Sequence, residues 1–211
     1  MKIITLDEID STHRYLKELI QKQGYNYPTC ITTTFQTNGI GSRGNSWEGV
    51  KGNLFFSFVF NKTNLPKDLE LQSASIYFSY ILKKVLSHEG SNVWLKWPND
   101  FYIEDKKIGG TITTVTKDLL FCGIGLNLIQ VNSDFGKLDI NINQKTILER
   151  YFKNLKKEIS WKQIFSEFKI EFQRSKKYEA TIENKKISLQ NAILNQDGSI
   201  EIDNKKVFSL R

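Results

Sequence analysis

Hydrophobic positions along the chain change their spacing several times, and each change marks an expected element. Apolar and polar residues alternate over residues 2–9, the period of a strand. Ser11 and Thr12 then precede Tyr15, Leu16, Leu19 and Ile20 at helical spacing, which predicts a capped helix ending at Gly24. Residues 29–35 are β-branched and residues 53–60 rich in aromatics, so both read as strands. Between them, residues 37–52 hold Gly39, Gly41, Gly44, Gly49 and Gly52 with almost no aliphatic side chains. That texture predicts a long loop, and long loops inside compact domains are usually functional or disordered.

Helical spacing returns over residues 69–87 through Ile76, Tyr80, Ile81 and Val85. Strands are expected at 92–97, 108–116 and 119–128, with Lys117-Asp118 as the hairpin turn between the last two. Residues 145–177 read as two helices with Ser160 as an N-cap between them. From Glu179 the pattern becomes short alternating strands around an Asn195-Gln196-Asp197-Gly198 turn. The expected organisation is therefore a mixed α+β domain over residues 1–178 and a small β domain over 179–211.

A chain of 211 residues, 39% hydrophobic, can bury a substantial core. Its longest apolar runs, such as residues 54–60, fall far short of the roughly 20 residues of a membrane-spanning helix. Met1 to Leu6 lead directly into Asp7 and Glu8, which does not resemble a signal peptide. Cys30 and Cys122 are far apart and lack metal-ligand spacing, which suggests a reduced, cytoplasmic protein. The net charge of +7 raises nucleic acid as a partner. The lysines of the C-terminal half, however, are interspersed with Glu and Asn as on a solvated surface, so neither DNA nor a membrane is expected as a partner.

Candidate chemistry concentrates in three segments. In Lys96-Trp97-Pro98-Asn99-Asp100, Pro98 lacks an amide hydrogen and has a fixed φ, so it stops a strand and keeps Trp97 extended. Asn99 and Asp100 are then expected at a turn, with Lys96 and Asp100 at a strand end, where α/β proteins place ligand chemistry. Together with Lys107 of Lys106-Lys107-Ile108-Gly109-Gly110, these groups can neutralise an anion and hold a cation, or form a plain surface ion-pair cluster. In the segment from Phe35 to Trp47, glycines can offer backbone N–H groups to an anion and Arg43 a fixed charge; a hairpin loop with a surface arginine fits as well. In Cys122-Gly123-Ile124-Gly125-Leu126-Asn127-Leu128, glycines inside a strand mark close approach by a ligand or relieve crowding in the sheet. The dinucleotide fingerprint is excluded, because a third glycine and a following helix are missing.

In order and spacing these segments resemble the biotin–protein ligases, also called biotin–[acetyl-CoA-carboxylase] ligases. Asp10-Ser11-Thr12 is similar to the family's Asp-Ser-Thr-Asn, and residues 39–47 to its Gly-Arg-Gly-Arg-x-Gly-Arg-x-Trp loop. Residues 96–100 match Lys-Trp-Pro-Asn-Asp outright, residues 107–110 resemble Lys-Leu-x-Gly, and residues 123–127 fit Gly-x-Gly-x-Asn. The likeness covers roughly residues 1–177, and the C-terminal piece fits the family's SH3-like domain. It implies a class II synthetase-like catalytic domain, a central mixed sheet flanked by helices. It also implies two steps, in which biotin and ATP form biotinyl-5′-AMP and a lysine of the biotin carboxyl carrier protein of acetyl-CoA carboxylase then attacks it.

By the same resemblance, Ser11, Thr12 and His13 would line the biotin ureido end, with Gln36, Gly39, Ile40, Gly41 and Ser42 closing over the rings and Gly123 and Gly125 beside them. Lys107 would bind the biotin carboxylate, Lys96 would sit near the phosphates, and Asp100 would orient the acceptor amine or help hold Mg²⁺. Arg43, Trp47, Asn99, Asn127 and Arg211 would contact the nucleotide. Trp47 and Trp97 are otherwise core aromatics, Asn127 a strand-end partner, and Ser11 and Thr12 helix caps. The chain departs from the family at Ile40 and Ser42, where arginines are usual, and at His13, where Asn is usual, which predicts weaker retention of the adenylate. Because the first strand begins at Met1, a ligase-only form without an N-terminal helix-turn-helix domain is expected, and a homodimer is left open. Lipoate–protein ligases and lipoyl/octanoyl transferases share the implied fold but lack Lys-Trp-Pro-Asn-Asp; a basic nucleic-acid-binding module and a degenerate biotin sensor are the non-enzymatic alternatives.

Overall fold

A computed structural model describes residues 1–42, 45–47, 49–132, 134–183 and 185–208. Strand β1 (Lys2–Leu6) leads into helix α1 (Thr12–Gln23), then β2 (Thr29–Thr33) and two very short strands, β3 (Gly39–Ile40) and β4 (Ser46–Trp47). Next come β5 (Leu54–Asn61), α2 (Ala74–His88), β6 (Trp94–Lys96), β7 (Asp100–Ile103), β8 (Lys106–Thr116) and β9 (Leu119–Leu126). Helices α3 (Gln144–Leu155) and α4 (Trp161–Ser175) precede β10 (Glu179–Ile182), β11 (Lys185–Ser188), β12 (Ile193–Leu194), β13 (Ile200–Ile202) and β14 (Lys205–Val207).

A seven-stranded sheet in the order β1-β2-β5-β9-β8-β7-β6 organises the chain. Only β1 and β2 run parallel; the remaining neighbours are antiparallel, giving the mixed sheet expected. Strand side chains alternate between faces, so each strand divides its residues between two environments. On one face Phe56 and Phe58 of β5 and Cys122 and Ile124 of β9 pack with α2, α3 and α4 into a large aromatic core. On the other, Ile31, Val59 and Phe121 pack beneath Leu16 of α1. Burial on both faces explains why β5 reads Leu-Phe-Phe-Ser-Phe-Val-Phe, with no polar alternation.

Helix boundaries follow from capping. Ser11 accepts a bond from the Arg14 N–H, and Gly24 ends α1 at φ 76°, a left-handed value that glycine adopts without strain. Ser160 caps α4 through the Gln163 N–H, as expected, while the Asp68 carboxylate accepts the N–H groups of Trp161 and Lys162.

Three expectations need correction. The segment 37–52 is not loop throughout: β3 and β4 pair, Gly39 with Trp47 and Ile40 with Ser46. Asp100 does not sit at a turn but begins β7 and pairs with Lys96 across a hairpin closed by Trp97, Pro98 and Asn99. The long helix is also shorter than its pattern, since residues Leu71–Ser73 form a 3-10 turn before α2 begins.

The C-terminal strands form a β10–β11 hairpin and a three-stranded β12–β13–β14 sheet. Their inner side chains, Ala180, Ile182, Leu189, Ala192, Ile200 and Ile202, join the same apolar cluster as the helix-covered face. The 195–198 turn is latched to the main body by indole N–H groups: Trp161 donates to the Gln196 carbonyl at 2.8 Å and Trp97 to the Gly198 carbonyl at 2.9 Å. Buried indoles need such partners, and here the turn supplies both.

Candidate active site

The face of the sheet toward α1 carries a cleft. The helix start that Ser11 caps brings Thr12 and His13 over β5 and β9, and the bridge between Ile9 and Gln36 sets Gln36 beside them. Gln36 Oε1 accepts from the Thr12 N–H at 2.8 Å and lies 3.0 Å from Thr12 Oγ1, which is 2.9 Å from Ser57 Oγ. These buried hydroxyls and amide make one polar end of a cavity of about 260 Å³.

Glycines form its floor. Gly110 of β8 pairs with Gly125 of β9, and the Trp47 indole lies on this shelf. A Cβ on Gly125 would stand 2.9 Å from Trp47 Cε2, so any side chain there displaces the ring. Gly123 plays the same part further in, where a Cβ would meet Ser57 Oγ at 3.0 Å and His13 Nδ1 at 3.1 Å. Close approach to a strand is what glycine permits there.

Lys107 forms the other end. Its ammonium is 2.7 Å from Asp100 Oδ1 and 5.8 Å from the centroid of the Trp47 ring. A second cavity of about 480 Å³ adjoins the first, sharing His13, Ile40, Gly41, Ser42, Asn99, Asp100 and Lys107, and runs to Lys96, Tyr178, Glu179 and Lys186 at the edge of the C-terminal strands. Three lysines face two carboxylates there, so the space favours an anion.

His13 is buried, and its Nε2 lies 3.1 Å from Thr114 Oγ1. Burial, helped by the nearby Lys17 charge, lowers its pKa to about 4, so the ring is neutral at pH 7. Its Nδ1 and the Trp47 Nε1 are buried without hydrogen-bond partners among the described residues, and both side chains line the first cavity. Two unpaired polar atoms on one wall suit a ligand that supplies their partners. Lys96 has its pKa lowered, chiefly by burial, against the opposing pull of Asp100.

The structure thus brings together Ser11, Thr12, His13, Gln36, Ile40, Gly41, Ser42, Trp47, Asn99, Asp100, Lys107, Gly123, Gly125 and Asn127 around one cavity. Gly39 lies just behind, its backbone paired with Trp47. Lys96 lines only the adjoining cavity. Asn127 Nδ2 donates to the Gly136 carbonyl at 3.1 Å and its Oδ1 is 3.4 Å from Asn53 Nδ2, so it braces the wall. Arg43 and Arg211 lie outside the described residues. Ser57, Phe55, Val131 and Phe135 also line the first cavity and Tyr178 the second, and none of these falls in a quoted motif; Asn45, inside the 39–47 loop motif, lines the first cavity too. Only Ser57 leaves a trace in the sequence, as the one polar residue in an aromatic run.

No cluster of three or more His, Cys, Asp or Glu among the described residues is arranged to hold a metal. Asp100 is a single carboxylate engaged by Lys107, which fits a Mg²⁺ that arrives on substrate phosphates and takes one protein oxygen, not an all-protein cage. No helix among the described residues is long and apolar enough to cross a membrane.

Comparison with known proteins follows the same lines. The model for the biotin/lipoate A/B protein ligase family matches residues 6–127. The Helicobacter pylori biotin acetyl coenzyme A carboxylase synthetase, solved with bound biotinylated ATP, superposes with a TM-score of 0.93 and is 38% identical, covering 98% of this chain and 99% of that one. The Aquifex aeolicus biotin protein ligase, solved in complex with biotin and ATP, superposes with a TM-score of 0.74 at 25% identity, covering 100% and 96%. The bifunctional ligase/repressor BirA of Escherichia coli strain K12 is 30% identical over 135 residues, which is 60% of this chain and 40% of that protein's length.

Proposed function

Because the chain belongs to the biotin/lipoate A/B protein ligase family, we propose that it activates biotin with ATP and transfers it to a lysine of the biotin carboxyl carrier protein of acetyl-CoA carboxylase. One observation carries this reading: a single cleft has hydrogen-bonding groups at one end, a glycine floor on which Trp47 lies, and the Lys107 ammonium at the other. A ligand with a polar ring head, an apolar body and a terminal carboxylate matches that sequence of environments, and biotin is such a ligand. The likeness to synthetases solved with biotinylated ATP, or with biotin and ATP, supports the same choice.

In the first step a carboxylate oxygen attacks the α-phosphorus of ATP and pyrophosphate leaves; in the second the acceptor amine attacks the acyl carbon, loses a proton, and AMP leaves. Lys107 turns from Asp100 to the carboxylate and stays with that oxygen as it becomes the acyl-phosphate bridge. A compact ammonium with three donors suits a charge that moves by an ångström or two. Freed from Lys107, the Asp100 carboxylate orients the incoming amine. Asp100 would hold a Mg²⁺ arriving with ATP, which would supply neutralisation of phosphate charge. Lys96 and Lys186 face the cavity into which the phosphates extend. The neutral His13 ring keeps charge away from the polar end, where Ser11, Thr12 and Gln36 hold the ureido group. Trp47 and Asn127 contact the adenylate. Catalysis on this reading is positioning and electrostatic stabilisation, with no covalent role for the protein. The two free, buried thiols, Cys30 and Cys122, agree with a reducing cytoplasmic setting.

ATP–pyrophosphate exchange that requires biotin is the test, followed by transfer to an apo-carrier domain. Exchange and transfer with biotin but not lipoate support the proposal; exchange with lipoate alone would move the chain to the lipoate branch of the family, and no exchange with either would remove the enzymatic reading.

A further inference from the structure

Lys107 and Lys96 are held in opposite ways. Lys107 is ion-paired to Asp100, whereas none of the ion pairs among the described residues includes Lys96. The Lys96 ammonium instead lies over aromatic faces, 5.3 Å from the centroid of Tyr102 and 6.0 Å from that of Tyr178, with the Tyr102 hydroxyl 3.5 Å away. The rings fix one another: Trp94 to Tyr102 at 5.2 Å, Trp94 to Tyr178 at 5.3 Å and Tyr102 to Tyr178 at 5.7 Å. Trp94 is itself anchored, donating to the Glu104 carbonyl at 2.7 Å, with the Arg174 guanidinium 4.5 Å from its centroid.

Two of these rings come from β6 and β7, beside the Lys-Trp-Pro-Asn-Asp segment. The third, Tyr178, comes from beyond α4, immediately before β10, and lines the second cavity with Lys96, Glu179 and Lys186. A carboxylate partner would hold a lysine by cancelling its charge. An aromatic face attracts the cation through its quadrupole and leaves the full charge for another anion. It also restrains a long, flexible stem that would otherwise lose much rotamer freedom on binding a ligand.

We propose that Tyr178 is a positioning residue for the nucleotide: with Tyr102 it holds the Lys96 ammonium at the second cavity, free of a direct ion pair, where a polyphosphate chain meets it. This rests on the adenylating function proposed above, and it links the junction with the C-terminal strands to phosphate binding. Tyr178→Leu removes the ring but keeps an apolar body, and Tyr178→Phe keeps the ring.

In biotin-dependent ATP–pyrophosphate exchange by the full chain, the Leu variant should raise KM for ATP ~3- to 30-fold, the range of a cation–π contact. KM for biotin should stay near wild type, and the Phe variant should restore KM for ATP. Independently of activity, NMR should find the Lys96 ε-methylene protons shifted upfield by the rings in wild type and the Phe variant, and near random-coil positions in the Leu variant. If the Leu variant does not fold, Tyr178→Met fills the gap and makes the same comparison. An unchanged KM for ATP, a parallel rise in KM for biotin, or unshifted ε-protons in the wild type overturns the proposal. A wild type that supports no exchange refutes the adenylating function, while the NMR comparison still decides whether Tyr178 holds Lys96.

Discussion

The two faces of the central sheet are built from the same strands to opposite ends. Toward α2, α3 and α4, β5 and β9 present Phe56, Phe58, Cys122 and Ile124, which fill the space with side-chain volume. Toward α1, neighbouring residues of those strands are Ser57, Gly123 and Gly125, which leave a hollow lined by hydroxyls and backbone. Stability and binding are thus separated by the two-residue period of the strand, one residue step apart. A substitution on one face should damage mainly folding, and on the other mainly ligand handling.

Phe58→Ala should draw that contrast most sharply. Its ring meets Phe78 at 5.1 Å, Phe152 at 5.6 Å and Tyr151 at 5.8 Å between centroids. Truncation should destabilise the fold by ~3–5 kcal/mol in denaturant unfolding, with biotin binding by the remaining folded fraction little altered. Lys107→Ala should do the reverse, lowering the exchange rate by ~10²–10³-fold, as for loss of one stabilising donor, while the unfolding midpoint shifts little. Equal losses of stability and activity in both variants would break the comparison.

His13 joins the two behaviours, being a buried group on the binding face. Its folded pKa of about 4 lies below the ordinary 6.5, so between those values the unfolded chain binds the proton more readily. The contribution of the neutral ring is therefore complete above pH 6.5 and fades as pH falls toward 4, by on the order of 3 kcal/mol at most. His13→Asn should flatten the pH dependence of unfolding in that window; an unchanged slope would show that other groups govern it. The smallest effect is expected from Ser42→Arg at the cavity rim, where an added guanidinium should slow adenylate release by about one to two orders of magnitude, the worth of a charge-assisted hydrogen bond. A release rate equal to wild type would remove the loop's charge from the account.

Much of this was legible in the chain because residue type and backbone need coincide. Ser11 and Ser160 announce helix starts, Gly24 an end, and residues 53–60 an aromatic-rich strand. The short pairings were hidden. β3 and β4 have two residues each in a glycine-rich stretch, where pairing comes from the docking of Trp47 on the Gly110–Gly125 shelf and not from local propensity. β7 was masked by Pro98 and Asn99, which signal a turn truthfully but not that the chain folds back at once into a hairpin. The motif charges were conspicuous, and the Asp100–Lys107 pair is one of the arrangements their spacing allowed; that Tyr178 would face Lys96 from 82 positions away follows only from the register of β6–β8 and the end of α4.

The central claim is that Lys107 exchanges its Asp100 partner for the carboxylate of biotin. A crystal structure of the chain with biotin, at a pH where both acids are ionised, measures this directly. The account predicts Lys107 Nζ within about 3 Å of a biotin carboxylate oxygen, with the bicyclic end against Thr12, Gln36 and Ser57. A bound biotin whose carboxylate meets another group, with Lys107 still paired to Asp100, would contradict it.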